Sequence, residues 1–218
     1  MADSPWPVIH AERAALADDL AALAPDRWTT PSLCTGWSVH QVLGHMTATA
    51  TMTPFGFVAR MARAGFRFET MAQRNIDAET TGGPQATLAR FRAAHNRSSG
   101  PPGPVNSWLG ETLVHAEDIR RPLGIVHAYP LEALSRVADF YRNSNLLIGG
   151  KDRVGGLALR ATDTDWTAGS GPEVVGPMLA LVLAITGRPV AFDELTGEAV
   201  TMLPKRTRSR PSGKTDSR

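Results

Sequence analysis

Residues 110–124, GETLVHAEDIRRPLG, decide how this chain is read. Glu111 and His115 stand four residues apart. On a helix they share one face, with Cβ atoms roughly 5–6 Å apart, and can grip a single cation. Spacing alone is weak support. The chain has 6 histidines, and roughly one i±4 acidic neighbour is expected by chance among them. The competing reading is a solvated helix face. This helix is expected to begin near Ser107 and to stop where Pro122 and Gly124 forbid continuation.

A divalent ion held by this pair needs a ligand from elsewhere, and SVHQVLGHMTATATM offers one. Ser38 and Gln41 form a capping box that starts a helix at Val39, with Val42, Leu43 and Met46 on its buried face. His45 follows about two turns in, between Gly44 and Met46. Two ligands from one helix and one from a facing helix leave coordination positions open, as catalytic rather than structural zinc does. The plainer alternative is a core histidine bonded to a backbone carbonyl. Around these residues, Trp37 is expected to anchor the loop-to-helix corner in the core. Cys34, with no basic partner identifiable, reads as a small buried hydrophobe. His40 points about 140° from His45 on the helical wheel and is expected in solvent.

Further out, residues 5–24 read as a first helix with the stripe Ile9, Leu16, Leu20 and Leu23, capped by Ser4 and ended by Pro25. Pro54 and Gly56 interrupt the second helix; the segment after them reads as an amphipathic helix or a lid. Pro84 opens a helix to about Asn96, SSGPPGP forms a loop, and a last long helix runs from Pro130 to about Ile148. Beyond Gly149-Gly150 the pattern changes. GLALRATDTDW alternates Leu157, Leu159 and Ala161 as a half-buried strand does, and PMLALVLAITGRP is a short buried helix ended by Gly187. The expected organisation is an antiparallel helical bundle over 1–148, a small α+β domain over 149–204 and a basic, disordered tail over 205–218.

Composition narrows the classes. A chain of 218 residues with 42% hydrophobic content supports one domain plus a small appendage and is too apolar for disorder. The longest apolar run is about half of what a bilayer needs. No signal-peptide pattern opens the chain, and a single cysteine excludes an internal disulfide framework. A reducing cytoplasm fits. The pI near 9.0 belongs to the tail: without KRTRSRPSGKTDSR the rest holds 17 basic and 20 acidic residues. Nucleic acid or an acidic partner is therefore expected, if at all, only through the tail.

Two motifs carry a family resemblance. TTPSLCTGWSVHQVLGHM resembles the first signature of the mycothiol-dependent maleylpyruvate isomerase-like proteins, within the DinB-like metal-binding four-helix bundle superfamily. GETLVHAEDIRRPLG is similar to their second signature. DTDWTAGSGPEVVGPMLALVLAITGRP resembles the small C-terminal domain of many actinobacterial members. The resemblance implies a mainly α fold and a divalent metal, most commonly Zn2+, held by His45, Glu111 and His115. It also implies mycothiol as a thiol cosubstrate that attacks a small electrophile, for isomerisation or S-transfer. Asp118 matches the family aspartate; it either orients a ligand or pairs with Arg120 or Arg121. Arg188 matches the arginine that family isomerases contribute to an anionic substrate, or else simply complements a helix C-terminus. Position 41, usually acidic in the family, is Gln here, which keeps the cap and removes a carboxylate one turn from His45. A metal-dependent hydrolase with Asp118 as base and a non-catalytic metal- or ligand-binding module remain alternatives.

Overall fold

Sequence punctuation sets the helix borders. A computed structural model describes residues 4–145 and 148–208 of the chain. By packing, the chain divides into two compact units, Met1–Ala128 and Tyr129–Arg218. The first holds α1 (Trp6–Asp19), α2 (Val39–Thr51), α3 (Pro54–Arg63), α4 (Phe68–Thr80), α5 (Pro84–Ala94) and α6 (Val105–Leu123). Helix α1 packs on α6, α6 on α2, α2 on α5 and α5 back on α1. That closed ring is the expected four-helix bundle, with α4 laid against α2 and α5.

Each border has a local cause. The Ser38–Gln41 capping box forms in both directions: the Ser38 amide donates to Gln41 Oε1 at 2.9 Å and the Gln41 amide to Ser38 Oγ at 3.3 Å. Thr53 caps α3, whose second residue is Phe55, by accepting the Gly56 amide at 3.0 Å. The segment expected as one helix or lid is two helices, parted at Gly65 and Phe66, both with positive φ. Helix α1 is shorter than its apolar stripe suggests, ending at Asp19, and Leu20–Leu23 continue as turns before Pro25. At the C-terminus of α6, Gly124 takes φ 73°, and the amides of Gly124 and Ile125 return to the carbonyls of Arg121 and Arg120.

Buried charge ties α1 to α6. Arg120 is fully buried, and its Nη2 lies 2.6 Å from Asp19 Oδ2, with Nε at 2.7 Å. Glu12 stands 3.9 Å from Arg120 and also accepts from His127 at 2.8 Å. The bundle core runs through Ile9, Leu16, Leu43, Met46, Ile76, Phe91, Leu109 and Leu113, none more than 1% exposed. Gly44 lets α4 approach α2: a Cβ there would sit 2.8 Å from Thr80 Cγ2.

The second unit contains α7 (Leu131–Arg142), α8 (Gly150–Val154), strands β1 (Ala158–Ala161), β2 (Thr167–Ala168) and β3 (Glu173–Gly176), α9 (Met178–Ile185) and α10 (Leu203–Arg208). The sheet order is β2-β1-β3, antiparallel for β1/β2 and parallel for β1/β3. Helix α7 stops at Arg142, short of the expected Ile148, and its buried Leu134, Val137, Ala138 and Tyr141 face α9. By packing, α7 belongs with this unit, and the change of pattern near residue 149 falls within the unit. Leu157, Leu159 and Ala161 are buried as the alternation predicts. Lys205 to Arg208, expected to begin the disordered tail, instead finish α10, where Arg206 donates to the carbonyls of Arg153 and Gly155. Residues 209–218 lie outside the described residues. No helix among the described residues is long and apolar enough to cross a membrane.

Two stability predictions follow from the packing. Arg120→Ala leaves Asp19 and Glu12 facing each other across the α1–α6 seam and should lower the unfolding free energy by about 3–5 kcal/mol in denaturant titration. Gly44→Ala should cost about 1–3 kcal/mol by overpacking α2 on α4, and Thr80→Ser, which removes the opposing methyl, should recover most of it.

Candidate metal centre

Helices α2 and α6 each present one face to the same point. His45 from α2 and Glu111 and His115 from α6 have donor atoms within 4.8 Å of one another. His45 Nε2 lies 3.9 Å from Glu111 Oε1, and the two imidazoles cross at 75° with centroids 4.9 Å apart. Donors in a tetrahedral shell with bonds of about 2.0–2.1 Å lie roughly 3.4 Å apart, so small rotamer shifts bring this set to coordination distance. His45 and Glu111 side chains are 20% and 10% exposed, enclosed without being sealed.

The sharpest feature is Glu111. Both carboxylate oxygens are buried, no N–H group donates to either, and only the hydroxyls of Thr49 and Thr112 stand beside them. Burial pushes its acid upward, against the charges of His115 and Arg13. A buried carboxylate answered by no more than two hydroxyls costs several kcal/mol unless a cation satisfies it. Two imidazoles beside that carboxylate form a set suited to zinc and its neighbours in the first transition row. Burial holds His45 at about 3, assisted by charge on His115, so at neutral pH it is the uncharged imidazole a metal requires.

His115 is held from behind. Its Nδ1 lies 2.8 Å from Asp118 Oδ2, leaving Nε2 as the nitrogen for an ion. Burial alone would lower its pKa, but the neighbouring Cys34 sulfur and the hydrogen bond to Asp118 prevail and raise it to about 10. A divalent ion at Nε2 therefore replaces a proton when it binds. Asp118 thus acts on His115, while Arg120 goes to Asp19 and Arg121 to Glu117 at 2.8 Å.

Three expectations change at this point. Cys34 has a basic neighbour after all: its Sγ donates to Asp118 Oδ2 at 3.0 Å and lies 3.5 Å from His115 Nδ1. Cys34, His115 and Asp118 form a second group of potential metal donors. Their separations of 2.8–3.5 Å are those of hydrogen bonds, which fits support for His115 better than a second ion. Trp37 is half-buried with its ring 5.3 Å from that of His45, so it walls the centre instead of filling the core. His40 is half-buried, bonded through Nε2 to Thr87 Oγ1 at 2.9 Å and edge-on to Trp28, because α5 packs along that side of α2.

One loop delivers Cys34 and Trp37. Ser32 and Trp37 join through the Ser32 amide and hydroxyl to the Trp37 carbonyl at 2.9 and 2.7 Å, and Gly36 turns the chain at φ 84°. The Leu33 amide donates to the Asp118 carbonyl at 3.2 Å. That carbonyl accepts from the loop because Pro122, four residues on, has no N–H to offer it. Arg188 lies in the second unit just after α9, with its guanidinium on the Thr186 carbonyl at 2.9 Å.

Comparison with known proteins agrees with the motifs. Residues 9–100 match the family described as mycothiol maleylpyruvate isomerase N-terminal domain. Two solved structures share the fold, the crystal structures of the mycothiol-dependent maleylpyruvate isomerase and of a histidine-to-alanine mutant of it. Each is 18% identical, covers 89% of this chain and 91% of its own, and has a TM-score of 0.58 and 0.57 respectively. Among curated protein sequences no relative matches. The family resemblance is borne out over residues 9–100, which hold the first motif, and the mainly helical fold with a small sheet near the C-terminus is borne out as well.

Asp118→Asn keeps the ligand set but weakens the hold on His115 Nδ1. Zinc affinity, measured by competition with a chromophoric chelator, should fall about 10–100-fold while stoichiometry at saturating metal stays the same.

Proposed function

We propose that this protein is a divalent-metal enzyme of the mycothiol-dependent isomerase and S-transferase kind. His45, Glu111 and His115 hold the ion, Zn2+ by preference of the donor set, and a low-molecular-weight thiol, mycothiol, serves as cosubstrate. The observation that carries this reading is the Glu111 carboxylate, buried between two imidazoles with no N–H donor and only two hydroxyls beside it. When bound, the ion supplies the positive charge that holds the thiol sulfur in its nucleophilic, deprotonated form at neutral pH.

The chain's own residues do the rest. Uncharged His45 donates a lone pair, and Glu111 neutralises part of the ion's charge. Asp118 keeps a proton on His115 Nδ1 so that Nε2 faces the ion, and Cys34 donates to the same Asp118 oxygen, fixing its rotamer. The Trp37 ring covers the His45 face and limits water there. Attack on a conjugated cis-diacid, bond rotation and elimination isomerise it; attack with loss of a leaving group transfers sulfur.

A metal-dependent hydrolase on the same ligands would need Asp118 as general base. Asp118 is fully buried and its Oδ2 already accepts from His115 and Cys34, so it has no route to a solvent proton. The thiol reading is preferred on that ground.

Purified protein should contain about one equivalent of metal per chain, and His45→Ala should lose it. Turnover of a model electrophile should require both metal and an added thiol and should fall at least about 100-fold in Glu111→Ala. Full activity without any thiol would instead establish hydrolysis, and stoichiometric metal in His45→Ala would refute the ligand assignment.

A further inference from the structure

Arg13 is the charged side chain of the bundle that the chemistry above leaves unexplained. It lies on the apolar stripe of α1, four residues after Ile9 and three before Leu16, and is 1% exposed. Its Nη1 donates to the Arg97 carbonyl at 3.3 Å, while Nε and Nη2 are buried with no partner. Across the α1–α6 seam a buried charge of the opposite sign is also incompletely answered. Both Glu111 oxygens are buried with no N–H donor, and only the hydroxyls of Thr49 and Thr112 stand beside them. Glu111 is the acid whose charge acts on Arg13, and Arg13 in turn acts on Glu111. An unpaired guanidinium in a protein interior costs several kcal/mol, which an apolar residue at this position would avoid.

Charge balance gives this arrangement a purpose. Glu111 ligates the ion and Asp118 stands behind His115. Together the two carboxylates balance a divalent cation, and with uncharged imidazoles the centre would then be neutral and content with water or a neutral thiol. Arg13 is the surplus positive charge. In a water-poor site, where charges interact far more strongly than in bulk solvent, that surplus is best cancelled by one negative charge at the open position.

We propose that Arg13 is a positioning charge that commits the metal centre to anionic occupants, thiolates and carboxylates, over neutral ones. It acts through Glu111 and through the field at the open position, without touching the occupant. The inference rests on the metal reading above and goes further, naming the charge class of what the centre accepts.

The test uses protein loaded with Co2+, whose visible spectrum reports ligand exchange, titrated at one fixed pH with azide as a monoanion and with imidazole as a neutral ligand. Arg13→Met keeps the length and removes the charge; its azide affinity should fall about tenfold or more, with imidazole affinity unchanged or higher. Arg13→Lys should stay within about threefold of the parent for both ligands. Equal azide affinity in Arg13→Met and the parent overturns the proposal, and so does a parallel loss of both ligands, which marks a purely structural role. If Arg13→Met does not fold, the parent decides: azide must bind more tightly than imidazole, and equal binding overturns the idea. Failure of the parent to take up cobalt removes the metal reading itself, whereas cobalt uptake without anion preference removes only this inference.

Discussion

A buried carboxylate that the protein answers with no N–H donor organises this bundle. Glu111 sits on the inner face of α6 where packing would favour a leucine, and its neighbours answer its charge. His45 and His115 stand on one side, and Arg13 acts from α1. An isolated ionised carboxylate in an apolar medium is costly enough that it either takes up a proton or meets a cation. Only the hydroxyls of Thr49 and Thr112 stand beside it, and two nitrogens of the buried Arg13 have no partner. So much unsatisfied polarity in so small a volume marks a place built for something other than stability.

Placing the three proposed ligands from two helices requires that α2 and α6 keep their register, and the loop before α2 does much of that. Ser38 and Gln41 fix where α2 starts, so His45 falls on the face toward α6. Pro122 withholds the amide that would have closed the last turn of α6 on the Asp118 carbonyl, and Leu33 supplies one in its place. The proline that ends the helix thus also attaches the loop. Once attached, the loop sets Cys34 against Asp118 and Trp37 against His45. A motif that reads as a helix stop and a motif that reads as a helix start are two halves of one joint.

Much of this was legible in the sequence because it is local. Capping, proline breaks, the Gly124 stop and the i, i+4 pairing of Glu111 with His115 depend on residues within a turn of each other. The union of His45 with that pair depends on tertiary packing; its place two turns into a capped helix made it the candidate, and the family resemblance strengthened the choice. Cys34 was misread because its partners lie 81 and 84 positions away, and no local pattern reports such a distance. His40 was misread for a similar reason: a helical wheel places it opposite His45 but does not know that α5 covers that side. Arg13 did leave a local trace, a charge inside the stripe Ile9, Leu16, Leu20, and such an interruption signals either a paired core charge or a functional one. The end of α7 could not be read, since its apolar spacing runs on past Arg142, where the helix stops.

Arg13 and Arg120 separate those two possibilities within one molecule. Both are arginines in the α1–α6 seam, and both are at most 1% exposed. Arg120 has Asp19 at 2.6 Å and Glu12 nearby, the full pairing that makes a buried charge tolerable and gives it a structural role. Arg13 has one carbonyl at 3.3 Å and two empty nitrogens. Since burial is the same, what distinguishes them is how completely the protein itself satisfies the charge. The seam holds one arginine for itself, and the charge of the other is left to be answered at the proposed metal centre.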